Sequence, residues 1–196
     1  KLGNVVEFVN GYAFKSSDFS DIGVGIVKIG DIQNGEVTTA AMSRLDSAVV
    51  MGLDDSLRVC KGEMLIAMSG ATTGKLGFNK TNEVYYINQR VGKISPYHLY
   101  VRYLYYPLTN KIAENLAKSM GSAIPNLSTA QIKNIVFAIP PLAEQHRIVA
   151  KVDELMTLCD QLEQQQTDSN DTHQTLVSAL LATLAKAADQ KDFTQT

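Results

Sequence analysis

Hydrophobic and polar positions follow two regimes along this chain, and the change comes at Pro140-Pro141. Upstream, short apolar runs are cut by Gly, Asn and Pro. Gly25-Ile26-Val27-Lys28-Ile29-Gly30-Asp31-Ile32 alternates with the period of a strand, and Asn34-Gly35 is the dipeptide of a two-residue hairpin turn. Val37 to Thr39 is therefore expected to return beside it. Met64 to Met68 is a continuous apolar run bounded by Gly62 and Gly70, which predicts a buried strand. Val84 to Ile87 and Arg90 to Ile94 predict a strand pair or one bent strand, ended by Pro96. From Tyr97 the period lengthens: Leu99, Val101, Leu104, Tyr105, Leu108, Ile112, Leu116 and Met120 recur at helical spacing. Pro107 is expected to break or kink this helix into two pieces. Gly121 to Leu127 reads as loop, Ser128 can cap a short helix through Ile132, and Ile135 to Ile139 is expected to form a last strand. These elements make a mixed α+β body of about 140 residues.

Downstream the pattern is helical and unbroken. From Leu142 to about Ala188 there is no Gly or Pro, and Glu144 stands in the first turn, where a carboxylate offsets the positive end of the helix dipole. Ile148, Val152, Leu155, Cys159 and Leu162 alternate in steps of four and three, the spacing of a coiled-coil seam. The seam weakens through residues 164–172 and resumes at Leu176, Leu180, Leu181 and Leu184. The polar middle is an exposed turn of one helix or a bend between two; one long helix is the favoured form. Unbroken, it spans roughly 70 Å at ~1.5 Å per residue, far more than the body needs for its own core. Such a helix must find a partner. The expected units are a body over 1–139, a pairing helix over 140–188 and a tail over 189–196.

Composition narrows the choice. A hydrophobic content of 45% is ordinary for a folded protein. No run of about 18 apolar residues exists, so no membrane span is expected, and the amino end is not that of a signal peptide. Cys60 and Cys159 are expected to be buried, reduced thiols in a cytoplasmic protein. The net charge of −2 hides an asymmetry: residues 58–118 hold nine Lys or Arg against three Glu, a net +6, while residues 1–57 carry −4. A cationic middle on an acidic chain fits a local anion-binding face; charges scattered over the surface are the other reading.

Most catalytic motifs fail on inspection. Gly70-Ala71-Thr72-Thr73-Gly74-Lys75-Leu76 has three residues between its glycines, where the P-loop needs four, and Leu76 where a hydroxyl would hold magnesium. ATP binding is rejected. The loop is a plain turn or a set of donors for a nucleic-acid phosphate. Pro140-Pro141 lacks the polar acceptor and the aromatic of an amino-methyltransferase motif, because Ile139 and Leu142 flank it, and no S-adenosylmethionine site is apparent. His98, His146 and His173 have no partners at ligand spacing, so no metal site is expected. No Ser or Cys carries a nucleophile signature, and no catalytic residue is assigned.

One stretch is specific. Ile139-Pro140-Pro141-Leu142-Ala143-Glu144-Gln145-His146-Arg147-Ile148-Val149 continuing to Met156 resembles the junction between target recognition domain and spacer helix in specificity subunits of type I restriction–modification systems. Gly11-Tyr12-Ala13-Phe14-Lys15, Gly62-Glu63-Met64, Gly70 to Lys75 and Asn88-Gln89-Arg90 are similar to other parts of such domains. The resemblance implies a non-catalytic, prokaryotic, cytoplasmic subunit that reads one half of a bipartite duplex DNA target. A whole subunit of that kind has two recognition domains, so the chain is expected to be one half, with a further domain beyond its tail.

The same resemblance implies the partners: a second recognition half, methyltransferase subunits and restriction subunits, with no membrane. S-adenosylmethionine, ATP and magnesium would sit on those partners, leaving no cofactor in this chain. Residues expected to face DNA are Lys15 and Arg44; Ser69, Thr72, Thr73 and Lys75; Asn79 and Lys80; Gln89, Arg90 and Lys93; and Lys118 and Ser122. Residues expected to pair helices are Ile148, Val152, Leu155, Cys159, Leu162, Leu176 and Leu180. Asn88-Gln89-Arg90 belongs to what readers of different targets share, so it is expected to hold phosphate or structure. Base choice then falls to the irregular segments Ser16 to Ser20, Thr38 to Arg44, Thr72 to Asn82 and Ser119 to Asn126. Tyr85, Tyr86, Tyr103, Tyr105 and Tyr106 are expected mainly in the core, with contact to DNA sugars as the other reading. Two rivals stand beside this reading: a coiled-coil interaction scaffold without DNA binding, and a small hydrolase or transferase with an unrecognised site.

Overall fold

A computed structural model describes residues 1–33, 35–118 and 126–192. Packing divides the chain into two units, Lys1–His146 and Arg147–Thr196.

The first unit is α+β and is built around a six-stranded sheet. Numbered along the chain, its strands lie in the order β1 (Val6–Asn10), β11 (Val91–Pro96), β8 (Met64–Ala67), β9 (Leu76–Phe78), β5 (Gly35–Val37) and β4 (Ile32–Gln33). A second, five-stranded sheet runs β2 (Phe19–Ser20), β6 (Ser43–Leu45), β3 (Val24–Val27), β10 (Tyr85–Ile87) and β7 (Arg58–Val59). Side-chain alternation sends the two faces of the larger sheet into different cores. Leu65, Ala67 and Val91 join Ile26, Val27, Leu45, Val59 and Ile87 in the first. Met64, Ile66, Ile94, Val6 and Phe8 face the other way, toward the helices α2 (Val101–Lys118) and α3 (Thr129–Lys133). The larger sheet is thus a wall shared by two hydrophobic layers. A short helix, α1 (Ser47–Val50), is capped by the Asp46 carboxylate, which accepts from the Ala48 N–H.

Several expectations hold. Met64–Ala67 is buried at every position. The pairing Gln33↔Glu36 closes a hairpin at the expected turn, with Gly35 at φ 82°, although Asn34 itself lies outside the described residues. Ser128 caps α3, accepting from the Gln131 N–H while the Gln131 side chain accepts from the Ser128 N–H. Tyr85, Tyr86 and Tyr103 are buried, as core packing requires.

Others are corrected. The alternating run Gly25 to Ile32 is not one strand. The Asp31 carboxylate accepts the Lys28 backbone N–H at 2.8 Å, closing a 3-10 turn at Ile29–Asp31 that passes the chain from the smaller sheet to the larger. Val84–Ile87 and Arg90–Ile94 are neither a pair nor one strand, since β10 and β11 belong to different sheets. Pro107 does not divide α2, which begins at Val101 rather than Tyr97. Proline in a helix interior costs about 3 kcal/mol. Burial of Leu104, Leu108 and Ile112 on the same helix offsets this, at about 1.5–3 kcal/mol each.

Ile135–Ile139 forms no strand. Two of its carbonyls have other partners: Ile135 accepts from the Leu2 N–H and Ala138 from the Tyr103 hydroxyl. Burial pushes that Tyr103 hydroxyl above its ordinary pKa. Cys60 and Cys159 are free thiols, but both are exposed rather than buried.

The last helix, α4 (Leu142–Asp192), runs 51 residues without interruption, a length of about 76 Å at 1.5 Å per residue. In its polar middle the side chains find partners one turn away. Gln164 donates to Asp168 at 2.8 Å, and the Thr167 and Thr172 hydroxyls donate to the carbonyls of Glu163 and Asp168. Among the described residues no helix is long and apolar enough to cross a membrane.

Candidate nucleic-acid interface

Strand direction gathers the polar residues of interest at one end of the larger sheet. Because β11 and β9 both run antiparallel to β8, the close of β8 lies beside the openings of β11 and β9. Ser69, Lys75 and Arg90 therefore meet there. β1 is antiparallel to β11, so Asn10, Gly11 and Tyr12 arrive at the same end. The smaller sheet contributes too: β3 and β10 run parallel, and both finish here, at Lys28 and Asn88. Tyr12 bridges Asn88, the Asn88 N–H donates to Val27, and the Gly11 N–H donates to Val91.

This crossing of backbones requires glycine at position 11. A Cβ there would stand 2.0 Å from the Asn88 carbonyl oxygen. Gly74, at φ +87°, is similarly confined, since a Cβ would meet Ile112 and Leu116 of α2 at 2.6 and 2.9 Å. The loop Gly70 to Gly74 is thus seated on α2 and fixed against the neighbouring turn, where the Thr72 hydroxyl donates to Ile29 at 2.8 Å. The Thr73 hydroxyl donates to Gly70 at 2.6 Å. Both hydroxyl protons are spent on backbone carbonyls, so these two side chains shape the loop.

The charge at this end is positive. Arg90 is exposed, with Nη1 3.5 Å from the hydroxyl of Ser69, at the limit of a hydrogen bond; Ser69 itself is buried, which corrects its expected place facing DNA. Lys75 donates to the Gln33 side chain at 3.1 Å. Lys28 donates to the Ser43 hydroxyl at 2.7 Å and lies 4.2 Å from the Phe19 ring centroid. Acids stand here too: Asp21 at the hollow beside Lys28, and Asp31, whose carboxylate accepts the Lys28 N–H. Burial raises the pKa of Asp31 above the ordinary value of 3.8, against the lowering pull of the Lys28 N–H and the Lys28 charge.

Lys28 was not among the residues singled out from the sequence; its signal was the acid three positions later, which turns the chain outward. Beside it lies an open hollow lined by Phe19, Ser20, Asp21, Met42, Ser43 and Arg44, which brings two of the four irregular segments together. Gln89 is exposed next to Arg90, and the Asn88 side chain accepts the Gln89 N–H.

Other expected contacts fall elsewhere. Lys93 points into the core between the sheets, its side chain 8% exposed, where it donates to the Arg58 carbonyl at 2.6 Å and pairs with Glu63 at 3.3 Å. Asn79 is 1% exposed and spends its amide on the carbonyls of Val59 and Glu83. Neither can reach a ligand on the surface, and both are corrected to structural roles. Lys80 is exposed but paired with Glu36 at 2.9 Å. Lys15 is exposed before the 3-10 turn Ser16–Asp18, and Arg44 donates to the Gly23 carbonyl at 2.8 Å. The Lys118 side chain, Ser122 and most of the segment Ser119 to Asn126 lie outside the described residues. Asn126 bridges Ser69 at the polar end. Among the described residues no three His, Cys, Asp or Glu side chains gather as metal ligands.

Along α4, Ile148 and Val152 are half-buried, and Leu155, Cys159, Leu162, Leu176 and Leu180 are exposed. Val149, absent from the expected seam, is buried. Leu162 and Leu176 stand two heptads apart, with Gln166, Ser169 and His173 in the intervening seam positions, so the apolar stripe keeps its register across the polar middle.

Comparison with known proteins gives a consistent answer. Residues 1–169 match the type I restriction modification DNA specificity domain. The chain is similar to the specificity subunits of two type I restriction enzymes of Escherichia coli. It is 24% identical over 169 residues to that of EcoAI and 28% identical over 166 residues to that of EcoBI. These matches take in 83% and 81% of this chain but 28% and 32% of those subunits, so the chain spans about a third of their length. In fold it is similar to the HsdS subunit from Thermoanaerobacter tengcongensis, with a TM-score of 0.65 at 21% identity over 85% of this chain and 39% of that one. It is also similar to a chain from a structural study of assembly and conformational transition in the type I R-M system, with a TM-score of 0.66 at 20% identity over 86% and 40% of the two chains. With the matched region taking in both sheets and the first half of the long helix, the chain belongs to the family of type I restriction–modification DNA specificity domains.

Proposed function

We propose that this chain reads one half of a bipartite duplex DNA target for a type I restriction–modification enzyme and does no chemistry itself. The observation that carries the reading is the convergence of strand ends from both sheets on one cationic surface, with Lys28, Lys75 and Arg90 upon it. Cations on a rigid frame suit phosphate recognition, and phosphate contacts fix register without choosing bases. Base choice falls to the segments around this frame: Ser16 to Ser20 and Thr38 to Arg44 at the Phe19 hollow, the loop at Thr72, and Ser119 to Asn126.

The helix supplies the second half of the reading. Its exposed stripe pairs with the equivalent helix of another recognition domain and so sets the distance between half-sites. Methyltransferase subunits dock on the assembled pair, bringing S-adenosylmethionine; restriction subunits bring ATP and magnesium. The other recognition domain is a second one in the same subunit or a second copy of this chain. Where this half self-associates through the stripe, replacing Leu155 and Leu162 with Glu is expected to give monomers, read as a fall in mass in solution; an unaltered mass would argue against self-association.

The decisive measurement is duplex binding by the full specificity subunit with its methyltransferase subunits across a range of salt. Lys75→Gln with Arg90→Gln is expected to weaken target and non-target duplexes alike and to lower the salt slope by about 2, near 0.9 per lost phosphate contact. Unchanged binding to every duplex would remove this surface from the interface.

A further inference from the structure

Gln145 is 1% exposed, although its neighbours in the first turns of α4, His146 and Arg147, are exposed. Its Oε1 accepts the Tyr100 backbone N–H at 2.9 Å, and its Nε2 donates to the Pro140 carbonyl at 2.9 Å. Tyr100 immediately precedes α2, and its own carbonyl accepts from Tyr103 and Leu104. The amide therefore gives the start of α2 an acceptor that the helix cannot supply itself.

The next residue, His146, stacks on the Tyr100 ring with centroids 4.1 Å apart and planes at 29°. α2 is held in turn by the buried Leu104, Leu108 and Ile112. One side chain thus joins the openings of two helices across 45 residues of sequence. The site demands an acceptor and a donor together. Glutamate would keep the bond from Tyr100 and lose the bond to Pro140, and an apolar residue of the same length would lose both.

We propose that Gln145 is a positioning residue for half-site spacing: it locks the first turn of α4 to the start of α2, and through that lock the separation of the two half-sites is held to one value. The proposal rests on the half-site reading above and adds a residue to it. Without the lock, half-site sequences are still read, but the distance between them is no longer single-valued.

The test is the methylation pattern of genomic DNA in cells carrying the full specificity subunit and its methyltransferase subunits, compared among the parent, Gln145→Met and His146→Ala. For Gln145→Met the bases of each half-site are expected to stay the same. Methylation of sites one base pair longer or shorter in the spacer is expected to rise about tenfold relative to the parent spacer, the scale of two neutral hydrogen bonds lost. His146→Ala, on an exposed ring, is expected to act in the same direction by about threefold, the scale of one ring contact.

Lower methylation at an unchanged spacer in both variants would mean that Gln145 only stabilises the fold, and would overturn the proposal. If Gln145→Met abolishes methylation, His146→Ala decides: a widened spacer supports the lock and an unwidened one overturns it. A parent system that methylates no bipartite site would instead defeat the half-site reading, and this proposal with it.

Discussion

The interior and the open end of the six-stranded sheet use the same residue types to opposite effect. In the one, Lys93 and Asn79 are turned inward and closed on partners, Lys93 on Glu63 and the Arg58 carbonyl, Asn79 on Val59, Glu83 and Thr81. At the other, Arg90 and Gln89 are exposed, and Lys75 and Lys28 make single bonds to neutral side chains. The difference is one of saturation. Polar groups that satisfy one another inside the fold stabilise it and are lost to ligands, whereas those left on neutral partners keep most of their charge for something outside.

That contrast can be broken first at Lys93. Lys93→Met leaves the carboxylate of Glu63 facing a methyl group. Removing one partner of a buried pair costs 3–5 kcal/mol, and because Glu63 is 31% exposed the expected loss in urea unfolding is at the low end, about 3 kcal/mol. Adding Glu63→Gln should recover part of it, and a cycle showing no coupling would mean the pair contributes nothing. Asn79→Ala should come next, at about 2 kcal/mol from the bonds it orphans, with the salt slope of duplex binding unmoved.

At the open end the balance reverses. Lys28→Gln should change stability by no more than about 0.5 kcal/mol, yet lower the salt slope by about 1. A large unfolding effect with no change in slope would place Lys28 with Lys93 among the inward residues.

The smallest effect concerns Asp31. Its pKa in the fold is raised by burial above the ordinary 3.8, so the protonated form is the one the fold favours. The stability it contributes is complete below the ordinary carboxylate value and is lost as the pH climbs through the raised one. Asp31→Asn keeps an acceptor for the Lys28 N–H and should remove that decline, flattening stability against pH just above 3.8. A variant that is instead destabilised at neutral pH would show that the charge itself holds the turn.

The legible parts of this fold were those decided locally. Met64–Ala67 is apolar throughout and bounded by glycines, and Ser128 with Gln131 carries its own capping logic. The illegible parts depended on what lay across the sheet. Nothing next to Lys93 announces Glu63, thirty positions earlier, so a cation in a basic region read as a surface contact. Thr72 and Thr73 looked like donors because their acceptors, Ile29 and Gly70, are supplied by backbone that only the folded loop brings near. Ile135–Ile139 had strand composition, but a tyrosine hydroxyl and a turn at the amino end engage two of its carbonyls. Pro107 was outweighed by the apolar residues around it, a sum over the helix that one residue does not display.

At Gly11 the carbonyl of Asn88 already occupies the volume that any side chain would need. The relative placement of the strands around it is therefore set by atoms in contact. Change at this surface is least costly in the segments hung between the strands.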